Sequence, residues 1–215
     1  MTRLILASQS PRRRELVRLL GHEVEYAVSA VEETRIGGES PEDHVTRLSL
    51  AKVRDVGGRV DDGIVIGSDT IVVLDGDIME KPGDAEEAVA MLLRLAGRTH
   101  TVYTGFALYN ARTGGYVTGY ETTRVTMRRF DRGMAERYTA TGEPMDKAGA
   151  YGIQHPAFSP AAGVDGCYMN VVGLPLCELA RMLKEAGVAV DARPEWSLPE
   201  QCVKCGIRDG LEIAA

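Results

Sequence analysis

The sequence lacks long apolar runs, an excess of positive charge and a high aromatic content. No stretch of its 215 residues approaches the roughly 20 apolar residues that span a bilayer, and the first apolar stretch, residues 4–7, is too short for a secretion signal. The formal net charge is -6 and aromatic residues make up 6% of the chain, so neither a basic stripe nor a stacking platform for nucleic acid is present. We expect a cytoplasmic protein that binds no membrane and no nucleic acid.

Cysteine is also scarce. The four cysteines, Cys167, Cys177, Cys202 and Cys205, are too few and too clustered for the disulfide framework of a secreted protein. We expect them to be reduced or to hold a metal. Cys202 and Cys205 have the spacing of half a structural zinc site, which the other two would have to complete, and a redox pair is a further alternative.

The rest of the composition, 44% hydrophobic and 26% charged, is that of an ordinary globular protein. A chain of this length suits one large α/β domain or two lobes that share a core. We predict one domain over residues 1–190. Residues 191–215 differ in composition and carry the Cys202 and Cys205 pair, and we interpret them as an appendage.

Capping residues and hydrophobic periodicity predict alternating strands and helices. Serine followed by proline starts two helices, at Ser10 and at Ser40, and Asp84 with Glu87 forms a capping box at a third. Turn sequences at 75–76 and 113–115 predict hairpins. The remaining predictions are strands over 23–31 and 64–74, two strands between 99 and 127, helices over 132–139 and 175–185, and a glycine-rich loop over 141–154.

The most informative segment runs from residue 4 to residue 15, where a buried strand turns directly into a helix. Arg12, Arg13 and Arg14 crowd the first turn of that helix, where the helix dipole disfavours cations. A bound anion would reverse this penalty, since backbone N–H groups, the hydroxyls of Ser8 and Ser10 and the guanidinium groups would converge on it. We interpret the segment as a phosphate-binding corner; a solvated basic helix start is the alternative.

Asp69 stands inside the apolar strand predicted over 64–74. A carboxylate in such a run loses hydration unless a cation or hydrogen-bond donors compensate it. It is either a structural, hydrogen-bonded group or a functional one, and we favour function.

Other charged residues are candidates only in combination. Glu32 and Glu33 follow the strand predicted over 23–31 and have the chemistry to hold Mg²⁺, or they form a solvated acidic turn. Lys52 lies on the inner face of the second helix and either reaches solvent or points into a cleft. Lys81 precedes Pro82 and, with Lys52 and the arginines, makes a possible phosphate clamp.

Gln154 ends the glycine-rich loop. Its amide offers a donor and an acceptor, which suits recognition of a base edge. The glycines of residues 146–153 permit close backbone approach to a ligand. The alternative is a tight structural loop with an internal ion pair.

Together these segments resemble the Maf-type nucleoside triphosphate pyrophosphatases over residues 3 to about 186. The resemblance rests on five segments in the same order, Leu6-Ala-Ser-Gln-Ser-Pro-Arg-Arg13, Gly67-Ser-Asp-Thr70, Glu80-Lys-Pro82, Asp146-Lys-Ala-Gly-Ala-Tyr-Gly-Ile-Gln154 and Val172-Gly-Leu-Pro175. It implies an α/β fold with an elongated mixed β-sheet, flanking helices and two lobes around a cleft, related to the house-cleaning inosine triphosphate pyrophosphatases. It also implies hydrolysis of a nucleoside triphosphate to the monophosphate and pyrophosphate, and a homodimer.

The resemblance also implies roles for individual residues. The acidic base of the family maps onto Asp69, and the positions that select dTTP and UTP map onto Arg12, Thr70 and Gln154. We expect Mg²⁺ or Mn²⁺ on Glu33, Glu32 and Asp69, with Arg12, Arg13, Lys52 and Lys81 neutralising the departing pyrophosphate. Whether Asp69 is base, ligand or both stays open.

The sequence departs from the family pattern at two places, and two alternative functions stay open. Residues 155–160 replace a glycine-rich stretch, and residues 191–215 have no counterpart. The alternatives are the branch that acts on 7-methyl-GTP and a non-catalytic nucleotide-binding regulator of cell division.

Overall fold

The computed structural model describes residues 2–190 and Cys202. Their strands are β1 (Leu4–Ala7), β2 (Val24–Ala27), β3 (Ile64–Leu74), β4 (Asp77–Met79), β5 (Thr99–Asn110), β6 (Tyr116–Met127) and β7 (Ala161–Gly166). Their helices are α1 (Pro11–Arg18), α2 (Pro41–Gly57), α3 (Ala85–Leu95), α4 (Arg132–Thr139), α5 (Tyr168–Val172) and α6 (Leu176–Glu185). In this part of the chain, no helix has the length and apolar character needed to cross a membrane.

The strands form one mixed sheet in the order β2-β1-β3-β5-β6-β7, with β4 paired to β3. β1 is parallel to both β2 and β3, whereas β4 returns antiparallel from β3 and β7 is antiparallel to β6. This confirms the expected α/β class with a mixed sheet and flanking helices.

The chain divides into two compact units. Of the described residues, unit 1 comprises 2–69, 104–121, 167–190 and Cys202, and unit 2 comprises 70–103 and 122–166. Two lobes were expected. The cleft around which they were expected stays a prediction, as does the boundary of the domain at residue 190.

The helix starts occur where the sequence predicts them. Ser10 and Ser40 cap α1 and α2 with their side chains, each followed by proline, and Asp84 caps α3 by accepting from the N–H of Glu87. Each cap satisfies a backbone donor that lacks a partner within the helix. Local chemistry therefore defines these three boundaries.

Three predictions about local structure need correction. The strand predicted over 23–31 is only Val24–Ala27, because its partner β1 offers four residues and all four are paired. Glu32 and Glu33 therefore follow a coil and not a strand end. β7 and the five-residue α5 were not predicted, and the loop over 141–154 contains two short 3-10 turns, Glu143–Asp146 and Ala148–Ala150.

In unit 1, helix α2 packs very closely against strand β3. A Cβ on Gly67 of β3 would lie 2.8 Å from the carbonyl oxygen of Ser49 and 2.6 Å from a methyl group of Val53, both on α2. Only glycine leaves room for the helix backbone at this distance. Lys52 precedes Val53 on the same stretch of α2, and Asp69 lies two residues after Gly67 on β3.

Candidate active site

The segment of unit 1 that is predicted to bind phosphate is a helix start with two hydroxyl groups held by backbone N–H groups. The Ser10 hydroxyl accepts from the N–H of Arg13 at 3.5 Å, and the Ser8 hydroxyl accepts from the N–H of Ser10 at 3.1 Å. A hydroxyl that accepts in this way still has its own proton to donate. Ser8 is buried, and Arg12 is half-buried on the first turn of α1. The corner therefore presents two oriented hydroxyls and a cation at a helix start.

Arg13 has a structural task that sequence reasoning missed. Its Nη1 donates to the carbonyl oxygen of Ser68 at 2.8 Å, and its Nε donates to the carbonyl oxygen of Gly173 at 2.8 Å. The Ser68 hydroxyl donates to the same Gly173 oxygen at 3.0 Å. Arg13 thus links α1 to the residue before Asp69 and to the end of α5. Loss of hydration lowers the pKa of its guanidinium, and the charges of Asp69 and Glu33 oppose that shift.

Lys52 joins two carboxylates. Its Nζ lies 2.6 Å from Asp69 Oδ1 and 2.6 Å from Glu33 Oε1. The side chains of Lys52 and Asp69 are each 8% exposed, whereas that of Glu33 is 43% exposed. This answers the open question about Lys52, which points inward and supplies the cation that a buried Asp69 requires.

Arg47 holds the segment that carries Glu33. Its Nη2 donates to the carbonyl oxygen of Thr34 at 3.1 Å and to Glu39 Oε2 at 2.8 Å. The hydrogen bond from Arg47, followed by one involving His44, lowers the pKa of the Glu39 carboxyl to about 2. No pattern in the sequence singles out Arg47, because its task depends on a chain path that only the fold defines.

The carboxylates suit a divalent cation that arrives with its own ligands. Glu33 and Asp69 supply hard oxygen donors that already share one cation, and Mg²⁺ is commonly bound by one or two carboxylates together with substrate phosphates. Glu32 is exposed. Among the described residues, no three acidic, histidine or cysteine side chains form a group that could hold a metal. The pair therefore fits the expected ion, while the expected set of three is not assembled.

Three of the four cysteines lie among the described residues. Cys167 and Cys202 are buried and Cys177 is half-buried, and none of these three forms a disulfide. Cys205 lies outside the described residues, as do the other predictions for residues 191–215.

Unit 2 carries the remaining candidates, Thr70, Lys81 and Gln154. Thr70 is half-buried, and Lys81 and Gln154 are exposed. The N–H of Gly149 donates to the carbonyl oxygen of Glu80 at 3.1 Å, so the loop that ends in Gln154 is tied to the segment of Lys81. Gly149 has a φ of +68°, and a Cβ there would lie 3.1 Å from Val72, so glycine is required at this point of the loop.

The Gln154 loop is held by a buried neutral pair that sequence reasoning did not find. His100 Nε2 lies 2.7 Å from the hydroxyl oxygen of Tyr151, and both side chains are buried. Burial lowers the pKa of His100 to about 4 and raises that of Tyr151. In addition, the N–H of Gly152 donates to the Tyr138 hydroxyl at 2.9 Å. These bonds position the backbone two to three residues before Gln154.

The segment after Gln154, which departs from the family pattern, packs in unit 2. His155 Nδ1 accepts from the N–H of Phe158 at 2.8 Å, and the Phe158 ring stacks on Tyr138 with centroids 4.1 Å apart. Lys147 donates to Asp146 at 2.7 Å, the internal ion pair considered for this loop. His155, to which sequence reasoning assigned no role, thus helps to shape the loop exit.

The site thus combines a buried lysine between two carboxylates with an arginine-rich helix start, on a mixed sheet of an α/β protein. This chain belongs to the Maf family: the family model described as Maf-like protein matches residues 3–186.

Curated relatives support the assignment over most of the chain. A dTTP/UTP pyrophosphatase of Pelotomaculum thermopropionicum is 47% identical over 190 residues, which cover 88% of this chain and 100% of that protein. Proteins of the same name from Dehalococcoides mccartyi and Geotalea uraniireducens are 40% and 46% identical, covering 97% and 86% of this chain and 93% and 95% of their own lengths.

Proposed function

We propose that this protein hydrolyses dTTP and UTP between the α and β phosphates, so that water and the triphosphate yield a nucleoside monophosphate and pyrophosphate. The observation that carries the proposal is the buried pair of Lys52 and Asp69 in unit 1, next to Glu33. The names of relatives 40 to 47% identical over most of the chain support the same reaction and the same substrates.

Asp69 is the residue best suited to direct the attacking water. Its carboxylate is buried and held in place by Lys52, and it can orient a water molecule or take its proton. Glu33 and Asp69 would hold Mg²⁺ or Mn²⁺, which would supply Lewis-acid chemistry to the triphosphate when bound.

We assign binding of the phosphate groups to the cationic and hydroxyl side chains. Ser8 and Ser10 donate to phosphate oxygens, and Arg12, Lys52 and Lys81 neutralise the charge that builds on the departing pyrophosphate. Arg13 contributes chiefly through its positive potential, because its Nη1 and Nε donate to backbone oxygens.

We assign recognition of the nucleobase to Thr70 and Gln154. A uracil or thymine ring presents O4, N3–H and O2 in a row, an acceptor, a donor and an acceptor. The amide of Gln154 can donate to one and accept from the next, and the Thr70 hydroxyl can do either. We further propose a homodimer in the cytoplasm, where nucleoside triphosphates are held.

The test is a panel of nucleoside triphosphates that includes dTTP, UTP, CTP, GTP and 7-methyl-GTP, assayed for pyrophosphate release with Mg²⁺, with Mn²⁺ and with EDTA. We expect the highest kcat/KM for dTTP and UTP, equal amounts of monophosphate and pyrophosphate, and no turnover in EDTA. Release of inorganic phosphate would assign cleavage to another bond. Preference for 7-methyl-GTP would refute the base assignment, and binding without turnover would indicate a regulator.

A further inference from the structure

We propose that the Lys52 ammonium group occupies the place of the divalent cation between Glu33 and Asp69 in the ligand-free protein, so that the metal binds well only once Lys52 has moved. The inference rests on the proposed function for the identity of the incoming ligand, a metal-bound triphosphate. It adds a coupling between metal and phosphate binding that the proposed reaction does not require.

The first argument is that one nitrogen serves both carboxylates. Glu33 Oε1 and Asp69 Oδ1 each lie 2.6 Å from Lys52 Nζ. Both oxygens are thus engaged by a single compact charge, and an ion of the size of Mg²⁺ would bind them at about 2.1 Å in the same place. An ammonium group and a metal ion cannot share that place, because both are cations and both need the same oxygen lone pairs.

The second argument concerns what happens to Asp69 without a cation. Its side chain is 8% exposed, so an unpaired carboxylate there would be strongly destabilised. Lys52 prevents this while no ligand is bound. A metal ion that displaced Lys52 alone would leave an equally buried ammonium without its carboxylates, and this cost weakens metal binding.

The third argument is that a triphosphate removes the free-energy cost of separating Lys52 from its carboxylates. A lysine is a point charge on a flexible stem with three donors, and it can turn from carboxylate to phosphate without moving the helix. Glu33, 43% exposed, leaves the pair open to solvent on one side. Phosphate oxygens that accept from Lys52 free both carboxylates for the metal, so each ligand favours the other, and the coupling is reciprocal.

The test measures Mn²⁺ binding without any nucleotide, by the loss of the electron paramagnetic resonance signal of aqueous Mn²⁺. Lys52→Met and Lys52→Gln should bind Mn²⁺ about tenfold or more tightly than the unaltered protein, within the usual range of coupling between sites. Lys52→Arg keeps a cation and should bind as weakly as the unaltered protein. Arg12→Met removes a charge from the same region without uncovering the carboxylates and should gain far less.

Folding of the variants is checked by circular dichroism and by melting with and without Mn²⁺. If Lys52→Met folds only when Mn²⁺ is present, the metal has replaced the lysine and the inference holds. Lys52→Gln, whose amide can still donate to one carboxylate, gives the affinity in that case. Equal Mn²⁺ binding by Lys52→Gln and the unaltered protein would overturn the inference, as would an equal gain in Arg12→Met.

These outcomes are separate from those of the proposed function. An active pyrophosphatase in which Lys52→Gln gains no Mn²⁺ affinity refutes only the coupling. A gain in Mn²⁺ affinity in a protein that hydrolyses no nucleoside triphosphate refutes only the proposed reaction.

Discussion

Each of the two units contains a buried pair of polar side chains, and the two pairs differ in charge. In unit 1, Asp69 is paired with Lys52, and the Arg13 guanidinium donates to two carbonyl oxygens. In unit 2, the central pair is His100 with Tyr151, and burial keeps both neutral near pH 7. Charges are costly to bury and respond strongly to a charged ligand, whereas a neutral pair only fixes geometry. Unit 2 also buries the Lys147 ammonium group, which donates to Asp146, so the contrast lies between two pairs. The pair of Lys52 and Asp69 can respond to a charged ligand, whereas the pair of His100 and Tyr151 fixes the geometry of the loop.

The largest effect should follow from removing the charge of Asp69. Asp69→Asn keeps the shape but cannot accept a proton, so we expect kcat to fall about 10³-fold, the usual contribution of a general base. Melting should still be cooperative, because Lys52 retains Glu33. Pyrophosphate release under single-turnover conditions gives the rate. Near-normal turnover would remove Asp69 from the chemistry and with it the contrast between the two pairs.

The second prediction uses pH to separate the units. His100 has a folded-state pKa of about 4 against 6.5 for an ordinary histidine, so the unfolded chain binds a proton that the folded protein excludes. The contribution of His100 to the free energy of unfolding is therefore complete above pH 6.5. It is lost as the pH falls towards 4, by about 3 kcal/mol in total.

Urea unfolding between pH 7 and pH 4 measures this loss. His100→Asn should lose stability at neutral pH but show a shallower decline, whereas His155→Gln in the same unit leaves His100 intact and should retain the steep decline. Glu39 of unit 1, with a pKa of about 2 against 4.5, acts in a separate window, its contribution being lost as the pH falls from 4.5 to 2. A decline unaffected by His100→Asn would contradict the assignment.

The third prediction concerns the structural role of Arg13. A lysine cannot donate to the carbonyl oxygens of both Ser68 and Gly173, so Arg13→Lys should lower the free energy of unfolding by about 1 to 3 kcal/mol. Arg12→Lys is the matched control and should alter KM more than the melting temperature. Should Arg13→Lys melt like the unaltered protein while losing activity, Arg13 acts on substrate after all.

The smallest effect is expected in unit 2, on selectivity. Gln154→Ala should reduce the ratio of kcat/KM for dTTP and UTP over CTP by about tenfold, which corresponds to the loss of one or two hydrogen bonds. The kcat for dTTP should change less. Tyr151→Phe should do the same more weakly through the position of the loop. Gln9→Ala, at an exposed residue of unit 1, is the control. An unchanged ratio of kcat/KM between dTTP or UTP and CTP would show that Gln154 does not read the base.

Local signals predicted much of the fold. The caps at Ser10, Ser40 and Asp84 and the strand Ile64–Leu74 occur as expected, because a cap or a buried strand depends on a few neighbouring residues. β7 and α5 were missed, since β7 depends on pairing with β6 and α5 spans five residues without a side-chain cap.

Some contacts of the predicted site residues follow from the sequence, and others do not. The sequence indicated that Asp69 needs a cation or hydrogen-bond donors, and it left open whether Lys52 reaches solvent or points inward. The structure pairs the two side chains. It did not indicate the link from Arg13 to Gly173, 160 positions away, or the pair of His100 and Tyr151, 51 positions apart. Such contacts depend on which elements become neighbours and not on local preference.

By itself, then, the sequence determined where the helices start, where a carboxylate is buried and which family the chain resembles, because these follow from short segments and their order. Only the tertiary structure decided that Lys52 joins Glu33 to Asp69 and that Arg13 donates to backbone oxygens. The packing of distant segments determines which group pairs with a buried charge. Here the absence of a side chain at Gly67 lets α2, which carries Lys52, pack against β3, which carries Asp69.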